Sequence, residues 1–198
     1  MGNDWKGLYK ERLITAKDAV KRIKSGDRVS VPQAAGEAKE IILALVDNKH
    51  AYRDVEICQM LPMGGAIYAE PGLEQHFRHT SQFVGRQTRE TVKNGHGDYT
   101  PCYFSQIPNL WGRTLPLNAA VIHVSPPDEH GHCSYGVSVD YSIHAVKNAK
   151  ENGGTVIAQV NKHMPRTLGE CVVHVSEMDC IVEHDEPLTE LAPLSYPI

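Results

Sequence analysis

Apolar side chains recur along this chain in two alternating rhythms. Ala16, Ala19, Val20 and Ile23 fall at helical spacing behind Thr15, whose partner Asp18 makes a capping box, and Ser25-Gly26 closes the segment. Asp27–Val31 then reads as a short strand, Pro32–Gly36 as a loop, and Glu37–Asn48 as a helix with Ala38, Ile41, Ile42, Leu45 and Val46 turned inward. Val55–Met60 is the returning strand. It is followed by a long loop, residues 61–72, that contains the adjacent Gly64 and Gly65. Further along, Ser81–Val84 and Tyr99–Phe104 predict strands, Arg86–Lys93 a short helix, and Ile107–Trp111 a turn of helix.

The most informative stretch is residues 118–160. Ala119–Val124 is an apolar run rich in β-branched residues, as expected of a strand covered on both faces in a parallel sheet. Ser125, Pro126, Pro127 and Asp128 end it, because paired prolines offer no ladder N–H, and leave a loop at the strand's carboxyl end. Gly131 and Gly136 give that loop backbone freedom. A helix from Asp140 to Lys150 carries Ile143, Val146 and Ala149 as its buried stripe, Gly153-Gly154 stop it, and Thr155–Val160 is the next buried strand.

Strands alternating with helices predict an α/β fold: a mainly parallel open sheet with helices on both faces, and ligands at the carboxyl ends of its strands. Past Gly169, Cys171–Val175 and Cys180–Glu183 are expected to be edge strands. The spaced prolines near the carboxyl terminus divide the chain into a domain over residues 1–186 and a linker over residues 187–198.

Composition narrows this picture. A length of 198 residues suits one domain with a real core, and 41% hydrophobic with 22% charged residues is ordinary for a globular protein. The net charge of -4 and the scattered basic residues argue against nucleic acid as a partner. No apolar run approaches the roughly 20 residues of a membrane span, and the amino terminus has no signal-like apolar core. Five cysteines without a CxxC pair fit reduced thiols, so a cytoplasmic setting is expected.

Several chemical motifs are weak on inspection. His130, His132 and Cys133 lack the second ligand pair of a zinc site, and His76 with His79 is a generic H-x-x-H, so no metal is expected. Cys133 beside His132 does not have the flanks of a thiol nucleophile. Neither the Gly64-Gly65 loop nor Gly131 with Gly136 matches a dinucleotide or P-loop pattern. Glu151-Asn152-Gly153 mimics a nucleophilic E-x-G motif, but its setting at a helix end reads as an ordinary helix stop.

The string SPPDEHGHCSYGVSVDYS, from Ser125, with HAVKNAK after it, closely resembles the amino-terminal domain of the acetyl-CoA hydrolase/CoA-transferase family, most nearly as it stands in 4-hydroxybutyrate CoA-transferases. SGDRV at Ser25, NGHGDYTPCYFSQIPNLW at Asn94 and HVSEMD at His174 agree in the same order. The resemblance spans nearly the whole chain but only half of such an enzyme, whose catalytic glutamate belongs to the second half. It implies CoA transfer between a short-chain acyl-CoA and a carboxylate such as acetate, with coenzyme A as substrate, no tightly bound cofactor, and a carboxyl-terminal domain or homodimer partner. Acyl-CoA hydrolysis, or ligand binding without catalysis, stays open beside it. No catalytic residue is expected in this chain; Glu151 and Glu177 both match first-domain positions. The residues expected to face the acyl group or CoA are Gly64, Gly65, His96, Tyr99, Ser105, Gln106, Pro126, Asp128, Gly131, Ser134 and Gly136.

Overall fold

A computed structural model describes residues 5–191. In chain order its elements are α1 (Trp5–Arg12), α2 (Ala16–Val20), β1 (Arg28–Ser30), α3 (Lys39–Asp47), β2 (Val55–Cys58), β3 (Phe77–Ser81), α4 (Arg89–Lys93), β4 (Gly97–Tyr99), α5 (Ile107–Asn109), β5 (Ala119–Val124), β6 (His132–Ser134), α6 (Ser142–Glu151), β7 (Thr155–Val160), β8 (Val172–His174) and β9 (Cys180–Glu183). Seven strands form one sheet in the order β4-β3-β2-β1-β5-β7-β9, and every neighbouring pair is parallel.

The apolar rhythm of β5 explains the layers. All six of its residues are buried, yet alternate side chains enter different cores. Ala119 and Val121 pack with α2 and α3; Ala120, Ile122 and Val124 pack with α5 and α6 on the opposite face. The Thr15 cap forms as expected, its hydroxyl accepting from the Asp18 amide at 3.2 Å and donating to the Asp18 carboxylate at 2.8 Å.

The succession β1-β2-β3-β4 runs outward in one direction and β5-β7-β9 in the other, so the chain reverses its winding between β1 and β5. Only two residue pairs join these strands, Val29 with Ala119 and Ser30 with Ala120, whereas six join β5 to β7. The β1–β5 ladder stops at Ser30 and Ala120, and the loops after β1 and β5 meet at the sheet's carboxyl edge, where the winding reverses.

Some sequence expectations move. The strand expected at Ser81–Val84 lies at Phe77–Ser81, where His79, Thr80 and Ser81 are buried and hydrogen-bonded while Arg78 faces solvent. The strand expected at Tyr99–Phe104 ends at Tyr99, just before Pro101, and Phe104–Gln106 is a 3-10 turn. The loop after β5 contains β6, which pairs antiparallel with β8; Cys171–Val175 therefore belongs to a separate two-stranded ribbon, while β9 is an edge of the main sheet. Helix α1 lacked a sequence prediction; Trp5, Leu8 and Tyr9 place its apolar side against the core. Residues 187–191 have no regular structure, and the rest of the expected linker lies outside the described residues. No helix among the described residues is long and apolar enough to cross a membrane.

If β5 is the packed centre, Ile122→Ala should destabilise the fold by about 2–5 kcal/mol. Val172→Ala, on the exposed side of the ribbon, should stay within about 0.5 kcal/mol. Urea denaturation of both variants checks this, and equal small losses would contradict the assignment of β5 to the centre.

Candidate functional site at the carboxyl edge of the sheet

Two buried polar networks fix the loops at this edge. The first hangs on His123, which points from β5 to the α3 side. The Asn161 side-chain oxygen accepts from the His163 and Glu186 amides, so its NH2 must be the group 3.2 Å from His123 Nε2. Nε2 is then an acceptor, and Nδ1–H donates to the Gly36 carbonyl at 3.2 Å. Burial pushes the His123 pKa down, which keeps the ring neutral and suited to this pairing. The loop after β1 is thereby held to the end of β5. Its fit is close: a Cβ on Gly36 would lie 2.1 Å from Ser138 Cβ. Tyr141 adds a second tie, donating to the Val31 carbonyl at 2.7 Å.

The second network starts at Glu37, a carboxylate buried at the head of α3. One oxygen accepts from the Gln59 side chain at 3.1 Å, and the other from the Met63 amide at 3.1 Å and from the Gly64 amide. Gln59 also donates to the Pro32 carbonyl at 2.8 Å, which commits its NH2 and leaves its oxygen to accept from Tyr68 at 2.9 Å. Tyr68 has one proton to give, so His79 Nδ1–H must donate to the tyrosine oxygen, 3.0 Å away. His79 Nε2 is left buried without a partner among the described residues. Protonating it would create an unpaired buried N–H, and desolvation accordingly lowers its pKa to about 4. Burial raises the pKa of Glu37, against the three N–H bonds that favour its charged form.

The expected site residues fall into separate groups. Gly64 rests directly on Glu37, where a Cβ would meet the carboxylate oxygen at 2.7 Å. Gly65, at φ +96°, faces open space and shares a cleft of about 210 Å³ with His96. Tyr99, Ser105 and Gln106 are exposed at and after the end of β4; the Gln106 side chain accepts from the Tyr103 amide at 2.9 Å. Pro126 lines a larger cleft of about 580 Å³ together with α1.

The rest of the central loop is taken up by its own chain. The Asp128 carboxylate accepts from the His132 and His130 amides, bonds that lower its pKa, and from Arg166 at 3.0 Å. Ser134 Oγ accepts from the Gly136 and Thr167 amides, each at 3.1 Å. A Cβ on Gly131 would strike Trp5 and His174, and one on Gly136 would strike Met164 and the Pro165 carbonyl. The positive φ of these two glycines thus serves close packing within the chain.

Glu37, Gln59, Tyr68, His79 and His123 escaped sequence reasoning, since their partners are distant along the chain. The one legible signal was a set of polar residues inside otherwise apolar strands. Two carboxylates are placed elsewhere: Glu151 ends α6 and Glu177 precedes β9, so both lie toward the amino ends of the strands. Cys133 is buried, which pushes its thiol up to about 12 and suppresses the thiolate. Among the described residues no three His, Cys, Asp or Glu side chains converge as metal ligands.

Comparison with known proteins bears on this edge. The sequence profile of the acetyl-CoA hydrolase/transferase N-terminal domain matches residues 3–193. The 4-hydroxybutyrate coenzyme A transferase of Clostridium kluyveri is 47% identical over 191 residues, covering 96% of this chain and 44% of that protein. The succinyl-CoA:cyclohexane-1-carboxylate CoA transferase of Geobacter metallireducens is 35% identical over 92% of this chain and 41% of its own length. The crystal structure of RipA from Yersinia pestis matches with a TM-score of 0.88 at 31% identity, covering 99% of this chain and 47% of that one. This chain spans a little under half the length of these relatives.

Two outcomes follow from the networks. Glu37→Gln keeps the shape but turns one acceptor into a donor facing N–H groups, and should cost about 1–3 kcal/mol in urea denaturation; a stability equal to that of the unchanged chain would mean that Glu37 does not hold the Gly64 loop. His79 has an ordinary value of 6.5 and a folded value of about 4, so between these pH values the unfolded chain binds more protons. Stability should therefore fall as pH drops through this window, by at most about 3 kcal/mol from this group. His79→Asn keeps a donor near the Nδ1 position and cannot be protonated, so its stability should depend less on pH there; identical pH profiles would exclude His79 as the source.

Proposed function

The chain belongs to the acetyl-CoA hydrolase/transferase family as its N-terminal domain, and from that premise we propose that it forms one wall of a CoA-transferase site. The reaction moves CoA from a short-chain acyl-CoA, of the 4-hydroxybutyryl or butyryl type, to acetate. A glutamate in a second domain, reached through residues 187–198, attacks the thioester carbonyl to give an acyl-glutamyl anhydride and CoA thiolate. The thiolate then attacks the glutamyl carbonyl, releasing the first carboxylate and leaving a glutamyl-CoA thioester. Acetate reverses both steps and departs as acetyl-CoA. Coenzyme A is a substrate here, not a resident cofactor, and the five unpaired cysteines suit a cytoplasmic setting.

The observation that carries this reading is the state of Glu37 and Asp140 at the carboxyl edge of the sheet. Glu37 is engaged by three N–H donors, and Asp140 is half-buried and takes hydrogen bonds from Gln33 and Ser142. Neither is free to attack a thioester, which supports a nucleophile supplied by another domain. The loops that these groups hold are suited to orienting a substrate rather than reacting with it. Phe83, Tyr99, Tyr103 and Phe104 stand exposed at and after the carboxyl ends of β3 and β4, an aromatic surface fit for a covering domain that would keep water from the anhydride. The residues offered for contact with acyl group or CoA are Gly65, His96, Tyr99 and Pro126, with Gly64 held from below.

The purified chain should show no acetate-dependent CoA exchange from butyryl-CoA or 4-hydroxybutyryl-CoA, whereas a polypeptide that joins it to a second domain should exchange at ordinary enzymatic rates. Turnover by the chain alone that Glu151→Gln abolishes would put the nucleophile in this domain and reject the proposal. Thiol release without acetate by the longer polypeptide would identify a hydrolase instead.

A further inference from the structure

The cleft of about 580 Å³ lies where α1 crosses the carboxyl ends of β7 and β9, lined by Trp5, Tyr9, Pro126, Pro127 and Val160, with Lys6, Lys10, Lys162, Glu183 and Asp185 around them. Its size suits a small organic ligand, and its wall is built rather than accidental. Trp5 Nε1–H donates to the Glu129 carbonyl at 3.0 Å, Gly131 leaves room for the indole, and Tyr9 donates to Glu183 at 2.8 Å, so both rings are held with their polar atoms satisfied.

The charges at this cleft do not balance locally. Asp185 is paired with Lys162 at 2.7 Å and Glu183 is taken by Tyr9. Lys6 and Lys10 form no ion pair among the described residues; they stand four apart on one side of α1, where like charges repel, and Lys6 Nζ sits 5.6 Å from the Trp5 ring centre. Two unneutralised ammonium groups beside a flat aromatic and proline wall call for a ligand with a planar apolar body and several negative charges.

We propose that this cleft holds the phosphorylated adenosine end of coenzyme A, its base against Trp5 and the prolines and its phosphates at Lys6 and Lys10. The assignment rests on the acyl-CoA reading above. It is consistent with the position of Pro126 and Pro127, which belong both to this cleft and to the loop leaving β5, so a nucleotide bound here lies at the carboxyl edge of the sheet.

The test uses the 198-residue chain, with binding followed by calorimetry and by tryptophan emission, because Trp5 is partly exposed and Trp111 fully buried. Adenosine 3′,5′-bisphosphate and CoA should bind saturably with similar affinity and alter the emission; adenosine alone and inorganic phosphate alone should bind far more weakly. Lys6→Ala with Lys10→Ala should weaken both nucleotides tenfold or more without changing the thermal midpoint. Absence of saturable binding, or binding undiminished in the lysine variant, overturns the assignment. The two readings separate in the longer polypeptide: acyl exchange with an unchanged KM for acyl-CoA in the lysine variant removes this subsite and leaves the transferase standing, whereas lysine-dependent nucleotide binding without exchange removes the transferase and leaves the nucleotide cleft.

Discussion

A strand with both faces in apolar cores and both edges hydrogen-bonded cannot carry polarity along its length. Strand β5 is in that position, and its single histidine therefore sits near the carboxyl end, where the backbone of neighbouring loops supplies partners. The same restriction governs β2, whose buried Gln59 follows its last residue; β3 carries His79 in its middle, where the Tyr68 hydroxyl serves as partner. Parallel strands bring all these ends to one side. The polar groups that the sheet excludes from its middle thus gather at the edge where the loops must be ordered.

At that edge each hydrogen bond dictates the next. Because the Glu37 carboxylate can only accept, it sets the orientation of Gln59, which sets the direction of the Tyr68 proton, which in turn sets the tautomer of His79. Asn161 does the same for His123. Such chains have few alternative arrangements, since reversing one amide leaves a buried donor facing a donor. The loops after β1 and β2 gain their fixed shape from this directional logic more than from apolar packing.

Much of the architecture was legible because local pattern and tertiary role coincide. β5, β7 and β9 are found where their apolar runs lie, and the Thr15 cap is a contact between near neighbours. β3 was displaced because Arg78, His79, Thr80 and Ser81 look like a loop until the burial of the last three is known. Helix α1 was obscured by Gly7 and a polar majority, although Trp5, Leu8, Tyr9 and Arg12 follow helical spacing. At the candidate site the positive φ of Gly131 and Gly136 could be anticipated from residue type. What stands beside them could not, since Trp5 and Met164 come from other parts of the chain.

The docking of α1 has a consequence for the order in which the chain can fold. Arg12 donates to the Val175 and Ser176 carbonyls, Ile14 to Ile181, and Tyr9 to Glu183, across sequence separations that exceed 160 residues in each case, as 163 for Arg12 to Val175 and 174 for Tyr9 to Glu183. Helix α1, made before the other described elements, is therefore seated by β9, made after them. Until β9 has joined the sheet, α1 lacks this part of its seat, the delay expected of contacts between segments so distant along a chain. Its arrival would then be a late event that signals completion of the sheet.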